Sequence, residues 1–126
     1  MIKVVHCKKE PYDIYIGRPS KWGNPFVIGK ERTREQAVKQ YLWYILHDEK
    51  LLYDISELKN KTIACWCSPE LCHGHVLKVL VENEELLKKY LDNRTGPYYY
   101  GPFTSDGNYA DELKEELFDL VLKEIE

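Results

Sequence analysis

The chain has 126 residues, a length that fits one domain with its own hydrophobic core. Its composition, 44% hydrophobic and 31% charged, is ordinary for a globular protein. No run approaches about 18 consecutive apolar residues, which excludes a membrane-spanning helix, and charge comes too early in the chain for a signal peptide. We therefore expect a cytoplasmic protein with reduced thiols and no membrane partner.

The net charge of −3 conceals an asymmetry along the chain. Residues 1–30 hold six basic and two acidic side chains, a balance of +4, whereas residues 84–126 hold five basic and eleven acidic side chains, a balance of −6. The first segment is suited to face an anion such as a phosphate. The overall acidity argues against general DNA binding, which depends on many phosphate contacts.

The first half of the chain predicts two short strands and one helix. Residues 3–7 and 12–16 are rich in β-forming residues and predict the strands. Two Gly and two Pro residues in 17–26 predict an irregular loop. Thr33 and Gln36 predict a capping box at the start of a helix, in which apolar residues recur at helical spacing.

The second half predicts one buried strand followed by helices. Residues 62–67 are almost continuously apolar or β-forming, which is typical of a buried strand. Helices are predicted after Gly74, over 84–91, and around the apolar positions of 113–121. The order of elements predicts an α/β fold: a small single-domain sandwich of two or three layers, with a short central sheet and an added C-terminal helix.

The domain organisation follows from this order of elements. Residues 1–92 are predicted to form the α/β core domain. Residues 93–126 are predicted to form an aromatic loop and a C-terminal helix packed on that core. The aromatic residues between Tyr98 and Phe103 are suited to close a pocket or an interface between subunits, so a homo-oligomer is one expected state.

Five thiol and imidazole side chains fall within eleven residues, at Cys65, Cys67, Cys72, His73 and His75. A strand end, a turn at a proline and a helix start can bring several of them together. Thiolates and imidazoles bind tetrahedral zinc, so Cys67, Cys72 and His73 are the predicted metal ligands and zinc is the candidate cofactor. The spacing is not that of regular zinc motifs, however. We favour a core position for Cys65 and a surface position for His75.

The start of the predicted helix also suits catalysis. A cysteine at a helix N-terminus has a lowered pKa, and backbone amides there attract anions. A histidine near neutral pH can act as general base. Cys72 and His73 are therefore the predicted catalytic residues, whereas His47 is expected to be exposed or to cap the end of its helix.

The loop at 17–26 has the side chains of a nucleotide or nucleoside pocket. Arginine and lysine pair with phosphates, glycine allows close backbone approach, aromatic rings stack on bases, and asparagine reads donor and acceptor edges. Phe26 is expected to anchor the loop to the core instead. The loop lacks the P-loop signature. The predicted ligand-binding residues are Arg18, Ser20, Lys21, Trp22, Gly23 and Asn24.

Three segments together resemble a known family. YIGRPSKWGNPF (residues 15–26), LKNKT (58–62) and CWCSPELCHG (65–74) are similar to a domain of unknown function found in bacteria and their phages. The resemblance covers residues 3–82. It implies no activity, and because the family often has Asp where this chain has His75, it does not imply His75 as an essential ligand. For a phage-encoded protein, the expected cytoplasm is that of the host.

Three hypotheses for function remain open. The first is a small α/β enzyme that binds a small phosphorylated or nucleoside-like ligand and carries out hydrolytic chemistry at the Cys/His site. The second is a non-catalytic, phage-type binder that sequesters a nucleotide signal. The third is a zinc-stabilised domain for protein interaction.

Overall fold

A computed structural model describes residues 1–68, 70–94 and 105–125 of the chain. The predicted aromatic segment, Tyr98–Phe103, lies outside the described residues. The described elements confirm a small α/β domain. In chain order they are β1 (Lys3–His6), β2 (Ile14–Tyr15), α1 (Arg34–Leu46), α2 (Glu49–Asp54), a 3-10 turn (Ile55–Leu58), β3 (Thr62–Cys65), α3 (His73–Glu82), α4 (Glu84–Arg94) and α5 (Ser105–Lys123).

The three strands form a parallel sheet in the order β1–β3–β2. The central strand β3 is buried through Ile63, Ala64 and Cys65, as its nearly continuous apolar sequence predicts. It ends at Cys65, two residues earlier than predicted, so the following residues are free to turn away from the sheet. Because β2 and β3 are parallel neighbours, the loops that follow them leave the sheet at the same edge.

Helix α1 begins as the sequence predicts. The Thr33 hydroxyl accepts a hydrogen bond from the Gln36 backbone N–H at 3.1 Å, and the Gln36 side chain accepts one from the Thr33 N–H at 2.8 Å. His47 caps the end of the helix, as expected. One face of α1 is buried in the core through Ala37, Val38, Tyr41, Leu42, Ile45 and Leu46.

Helices α1, α4 and α5 contact α3. Helix α3 contacts β1, β3 and α1, and α5 contacts α1, α3 and α4. The buried residues of α5 are apolar side chains one helical turn apart, which is the pattern of a helix packed on a core: Leu113, Leu117, Phe118 and Val121. None of the described helices is long and apolar enough to cross a membrane.

Candidate functional site

The two motifs meet at one cleft of about 240 Å³. One wall comes from the loop after β2, and the other comes from the end of β3, the turn that follows it and the start of α3. Helix α1 closes the side. The described residues that line the cleft are Gly17, Arg18, Asn24, Phe26, Val27, Ile28, Arg34, Val38, Cys65, Trp66, Cys67, Leu71, Cys72 and His73.

Two thiols lie in contact at the base of this cleft. Cys65 ends β3 and Cys72 is the N-cap residue of α3, and their Sγ atoms are 3.1 Å apart. Backbone N–H groups of Gly74 and His75 face the Cys72 sulfur. Both cysteines are buried and free, and Cys72 is only 2% exposed. The arrangement is a reduced thiol pair whose second member sits at a helix N-terminus.

The three neighbouring thiols differ in acidity. A hydrogen bond from Cys65, together with the Gly74 and His75 N–H groups, lowers the pKa of Cys72 despite its burial. The hydrogen bond with Cys67 lowers the pKa of Cys65, but its bond with Cys72 and its burial outweigh this and raise it to about 11. The bond with Cys65 and burial also raise the pKa of Cys67. Cys72 is therefore the thiol that most readily becomes a nucleophilic thiolate.

His73 lies beside the thiol pair with a defined protonation state. Its Nε2–H donates a hydrogen bond to the Ile16 carbonyl at 2.7 Å, and its ring packs edge-on against Tyr41 with centroids 5.0 Å apart. Burial lowers the pKa of His73, so the ring is neutral at pH 7. Since Nε2 carries the proton, Nδ1 is left as the acceptor.

The expectation that His75 lies on the surface is wrong, since this residue is only 7% exposed. Its Nδ1 accepts a hydrogen bond from the Cys72 backbone N–H at 3.1 Å, so the ring folds back over the helix start. Burial also lowers the pKa of His75. His75 therefore stabilises the N-terminal turn of α3, which positions Cys72. The spacing of residues along a helix does not by itself predict this contact.

Arg34 is a cleft residue that the sequence analysis missed. Its Nη1 donates to the Leu71 carbonyl at 3.2 Å, and its Nη2 pairs with the Glu70 carboxylate at 2.9 Å. A hydrogen bond with Cys67 raises the pKa of Arg34, and the Glu70 charge raises it by a smaller amount. The arginine opens α1, outside either motif, so only the packing of α1 against the turn after β3 reveals its place.

Arg18 and Gly23 occupy one bend of the loop after β2. Arg18 is exposed, lines the cleft and forms no ion pair with any residue that the structure describes. A Cβ atom on Gly23 would lie 2.9 Å from Arg18 Cγ and 3.0 Å from Arg18 Cα. Gly23 therefore lets the loop fold closely around Arg18.

Two further predicted ligand-binding residues, Lys21 and Trp22, are engaged within the protein. Lys21 Nζ pairs with Asp54 at 3.2 Å and with Glu57 at 2.7 Å, away from the cleft. Trp22 is 2% exposed, and its carbonyl accepts a hydrogen bond from the Tyr41 hydroxyl at 2.7 Å. The Trp22 ring thus packs in the core.

Asn24 and Ser20 are the remaining predicted ligand-binding residues of the loop. Asn24 Nδ2 donates to the Ala37 carbonyl at 3.3 Å, and its Oδ1 accepts from the Phe26 N–H at 2.8 Å. The Asn24 amide therefore fixes the loop to α1 through Nδ2 and bonds within the loop through Oδ1. The Ser20 Oγ is buried and has no hydrogen-bond partner among the described residues.

Trp66 forms part of the cleft rim. It directly follows β3 and is 56% exposed. Its indole N–H donates to the Tyr15 hydroxyl at 2.8 Å, its ring meets His6 edge-on, and the Lys8 ammonium lies 5.4 Å from the ring centroid. These contacts fix the orientation of an aromatic ring that remains largely open to solvent.

The zinc hypothesis requires several ligand side chains grouped around one point. Within residues 1–68, 70–94 and 105–125, no three His, Cys, Asp or Glu side chains are arranged to hold a metal ion. His73 Nε2 is engaged with the Ile16 carbonyl. Cys67, Cys72 and His73 are thus not grouped as metal ligands in the described geometry, and zinc binding by them stays a prediction.

Comparisons with known proteins place the two motifs in a family context. A family model described as Domain of unknown function (DUF4326) matches residues 2–83. Uncharacterized protein R718 of Acanthamoeba polyphaga mimivirus is 38% identical over 96 residues, which cover 62% of this chain and 71% of that protein. An uncharacterized 12.4 kDa protein from the nrdA-td intergenic region of Enterobacteria phage T4 is 29% identical over 86 residues, covering 64% and 78%. No solved structure matches the chain significantly.

Proposed function

The chain belongs to this family of domains of unknown function, as its motifs predict, and we propose that it binds a small phosphorylated nucleoside-like ligand in the cleft between those motifs. The observation that carries the proposal is the lining of this one cleft. Two cationic side chains, an open aromatic ring and a thiolate-forming cysteine all face the same small volume.

The charge of the cleft favours an anionic group. Arg18 and Arg34 line it, and none of its described lining residues is a carboxylate. Glu70 offsets part of the Arg34 charge, whereas Arg18 forms no described ion pair and can offer its guanidinium to a phosphate. Arg18 is therefore the residue assigned to phosphate binding.

The size and rim of the cleft favour a mononucleotide. A volume of about 240 Å³ lies below the roughly 300–1,000 Å³ of pockets that enclose drug-sized ligands, so one part of the ligand remains at the rim. There the open face of Trp66 suits stacking on a base, which contributes about 1–3 kcal/mol in single-strand binding proteins. Trp66 takes the stacking role that sequence reasoning gave to Trp22.

The chemistry of the base of the cleft supports hydrolysis through a covalent intermediate. The Cys72 thiolate would attack an electrophilic carbon or phosphorus atom of the ligand, displacing one of its groups. Neutral His73, with Nδ1 as acceptor, would then take a proton from the water that releases the intermediate. Arg18 and Arg34 would stabilise the negative charge that develops.

Non-catalytic binding is the second candidate, and two observations favour it. Among the described lining residues there is no carboxylate to serve as a second acid or base beside His73. Cys72 and His73 are also both deeply buried. A protein with this site would retain a nucleotide without changing it, which agrees with a role in sequestering a nucleotide signal.

Calorimetric titration with nucleoside monophosphates, nucleosides and ribose 5-phosphate tests binding. We expect Arg18→Ala to weaken monophosphate binding about tenfold, the lower end for a lost charge-assisted hydrogen bond. Lys21→Ala is the matched control, because it removes the same charge from the same loop but from a side chain paired with Asp54 and Glu57. Equal effects of the two variants would contradict the assigned site.

Chromatography of the ligand after incubation separates the two candidates. Turnover that is lost in Cys72→Ser, while binding persists, supports the hydrolytic mechanism. Recovery of intact ligand from the unmodified protein supports sequestration. Zinc analysis of the same sample tests the remaining hypothesis of a zinc-stabilised domain.

A further inference from the structure

Cys65 and Cys72 have a second chemistry that needs neither nucleotide binding nor hydrolysis. Their sulfur atoms are 3.1 Å apart, and both residues line the cleft that opens to solvent. A disulfide bond requires an S–S distance of about 2.05 Å, so closing one needs the sulfur atoms to approach by only about 1 Å. The end of β3 and the start of α3 already hold the two thiols in contact.

We propose that Cys65 and Cys72 are a redox-active dithiol that reacts with low-molecular-weight disulfides and closes into an intramolecular disulfide. This site differs from the proposed nucleotide site in its partner, although the two share Cys72. Its reactant class is a small disulfide such as oxidised glutathione, of which only the S–S bond and the adjoining atoms need to enter the cleft.

Cys72 is the attacking thiol because of its place in the fold. It is the N-cap residue of the ten-residue helix α3, where the Gly74 and His75 N–H groups and the Cys65 thiol stabilise its thiolate. A thiolate, rather than a thiol, attacks disulfide sulfur. Cys65 is the resolving thiol because its sulfur is already adjacent to the Cys72 sulfur. Its attack on the mixed disulfide is therefore an intramolecular step and needs no encounter in solution.

The reaction balances in two steps. The Cys72 thiolate attacks one sulfur of the small disulfide, forms a mixed disulfide, and releases one small thiolate. Cys65 then loses its proton to the released thiolate and attacks Cys72 Sγ, which breaks the mixed disulfide and releases the second small thiolate. The proton that Cys72 gives to solvent when its thiolate forms is taken up from solvent by the second small thiolate. The protein dithiol therefore loses two electrons and two protons overall, and the small disulfide gains them as two small thiols.

Cys67 is the competing partner, and it is more exposed than the pair. Hydrogen bonds link it to Cys65 and to Arg34 on α1, which closes the side of the cleft. Cys7 is the remaining cysteine of the chain and lies just after β1. The experiment therefore has to identify which two of these thiols pair.

Differential alkylation of the full-length protein identifies the pair. The protein is treated with oxidised glutathione, its remaining free thiols are blocked with one alkylating reagent, and after reduction the released thiols are labelled with a second reagent. Tryptic cleavage at Lys61 and Lys78 yields one peptide, 62–78, with all three competing cysteines, so fragmentation of this peptide gives each label. We expect the second label on Cys65 and Cys72 and the first on Cys67.

Variants that lack one cysteine give a second test of the pairing. Cys67→Ser and Cys7→Ser should still lose the mass of two hydrogen atoms on oxidation. Cys65→Ser should stop at the mixed disulfide and gain one glutathione on Cys72. A second label on Cys67, a disulfide only between chains, or no oxidation of the unmodified protein by excess oxidised glutathione would overturn the proposal. The unmodified protein alone decides the pairing, whatever the folding of the variants.

Nucleotide binding by the reduced protein is a separate readout. Loss of the dithiol reaction with normal nucleotide binding would reject the dithiol alone. Normal disulfide closure without nucleotide binding would reject the proposed function alone.

Discussion

Replacing Tyr41 by Phe tests how the loop that forms one wall of the cleft is held. The Tyr41 side chain is fully buried, and its hydroxyl donates to the Trp22 carbonyl at 2.7 Å. Tyr41→Phe deletes this donor and leaves the carbonyl without it. A buried group left unpaired costs about 1–3 kcal/mol, so the free energy of unfolding should fall by about 2 kcal/mol.

Urea denaturation followed by circular dichroism measures this change. For a urea slope of about 1–3 kcal/mol per M, a loss of about 2 kcal/mol lowers the midpoint by about 1 M. Tyr44→Phe is the matched control, because Tyr44 also lies on α1 and contacts the Tyr41 ring, but its hydroxyl bonds to no described residue. We expect the control to change stability by less than about 0.5 kcal/mol. Equal losses in the two variants would refute the argument that the hydrogen bond to Trp22 holds the loop.

Two further predictions concern the start of α3. Gly74→Ala places a Cβ 2.9 Å from Ile16 Cδ1 and 3.0 Å from Val4 Cγ1. The resulting overpacking should lower the free energy of unfolding, measured by urea denaturation, by about 1–3 kcal/mol. Gly29→Ala is the control and should change stability little, because a Cβ on Gly29 meets no atom within 4 Å. Burial lowers the pKa values of His73 and His75 in the folded protein. Below about pH 6.5 the unfolded chain therefore binds more protons than the folded protein. The free energy of unfolding should fall as pH drops, by up to about 1.4 kcal/mol per pH unit for each histidine. Denaturation at several pH values should give a shallower slope for His75→Gln, and an unchanged slope would contradict the buried neutral state.

Features that are set by neighbouring residues could be predicted from the sequence. The capping box of Thr33 and Gln36 needs only residues three apart, and it begins α1 where predicted. The predicted strands lie at the right places in the chain but are too long, since β2 pairs with β3 only at Ile14 and Tyr15. A strand ends where its partner ends, and the partner is remote in sequence.

The direction of side chains could not be predicted in the same way. Trp22 and Trp66 were both visible as aromatic residues of motifs, yet the first packs in the core and the second stands 56% exposed at the rim. Arg34 enters the cleft only because α1 packs beside the turn after β3. Residue type indicates which chemistry is present, whereas tertiary packing decides which residues deliver it.

The arrangement of α3 also determines where an anion can bind. A helix N-terminus attracts anions through free backbone N–H groups, so an anion is expected near Cys72. In this protein, however, the Gly74 and His75 N–H groups face the Cys72 sulfur, and the Cys72 N–H donates to His75 Nδ1. The thiolate is thus the anion that the helix stabilises. Under the proposed function, a phosphate in the cleft would depend on side chains instead, and because Arg34 already pairs with Glu70, Arg18 would carry the larger share of its binding.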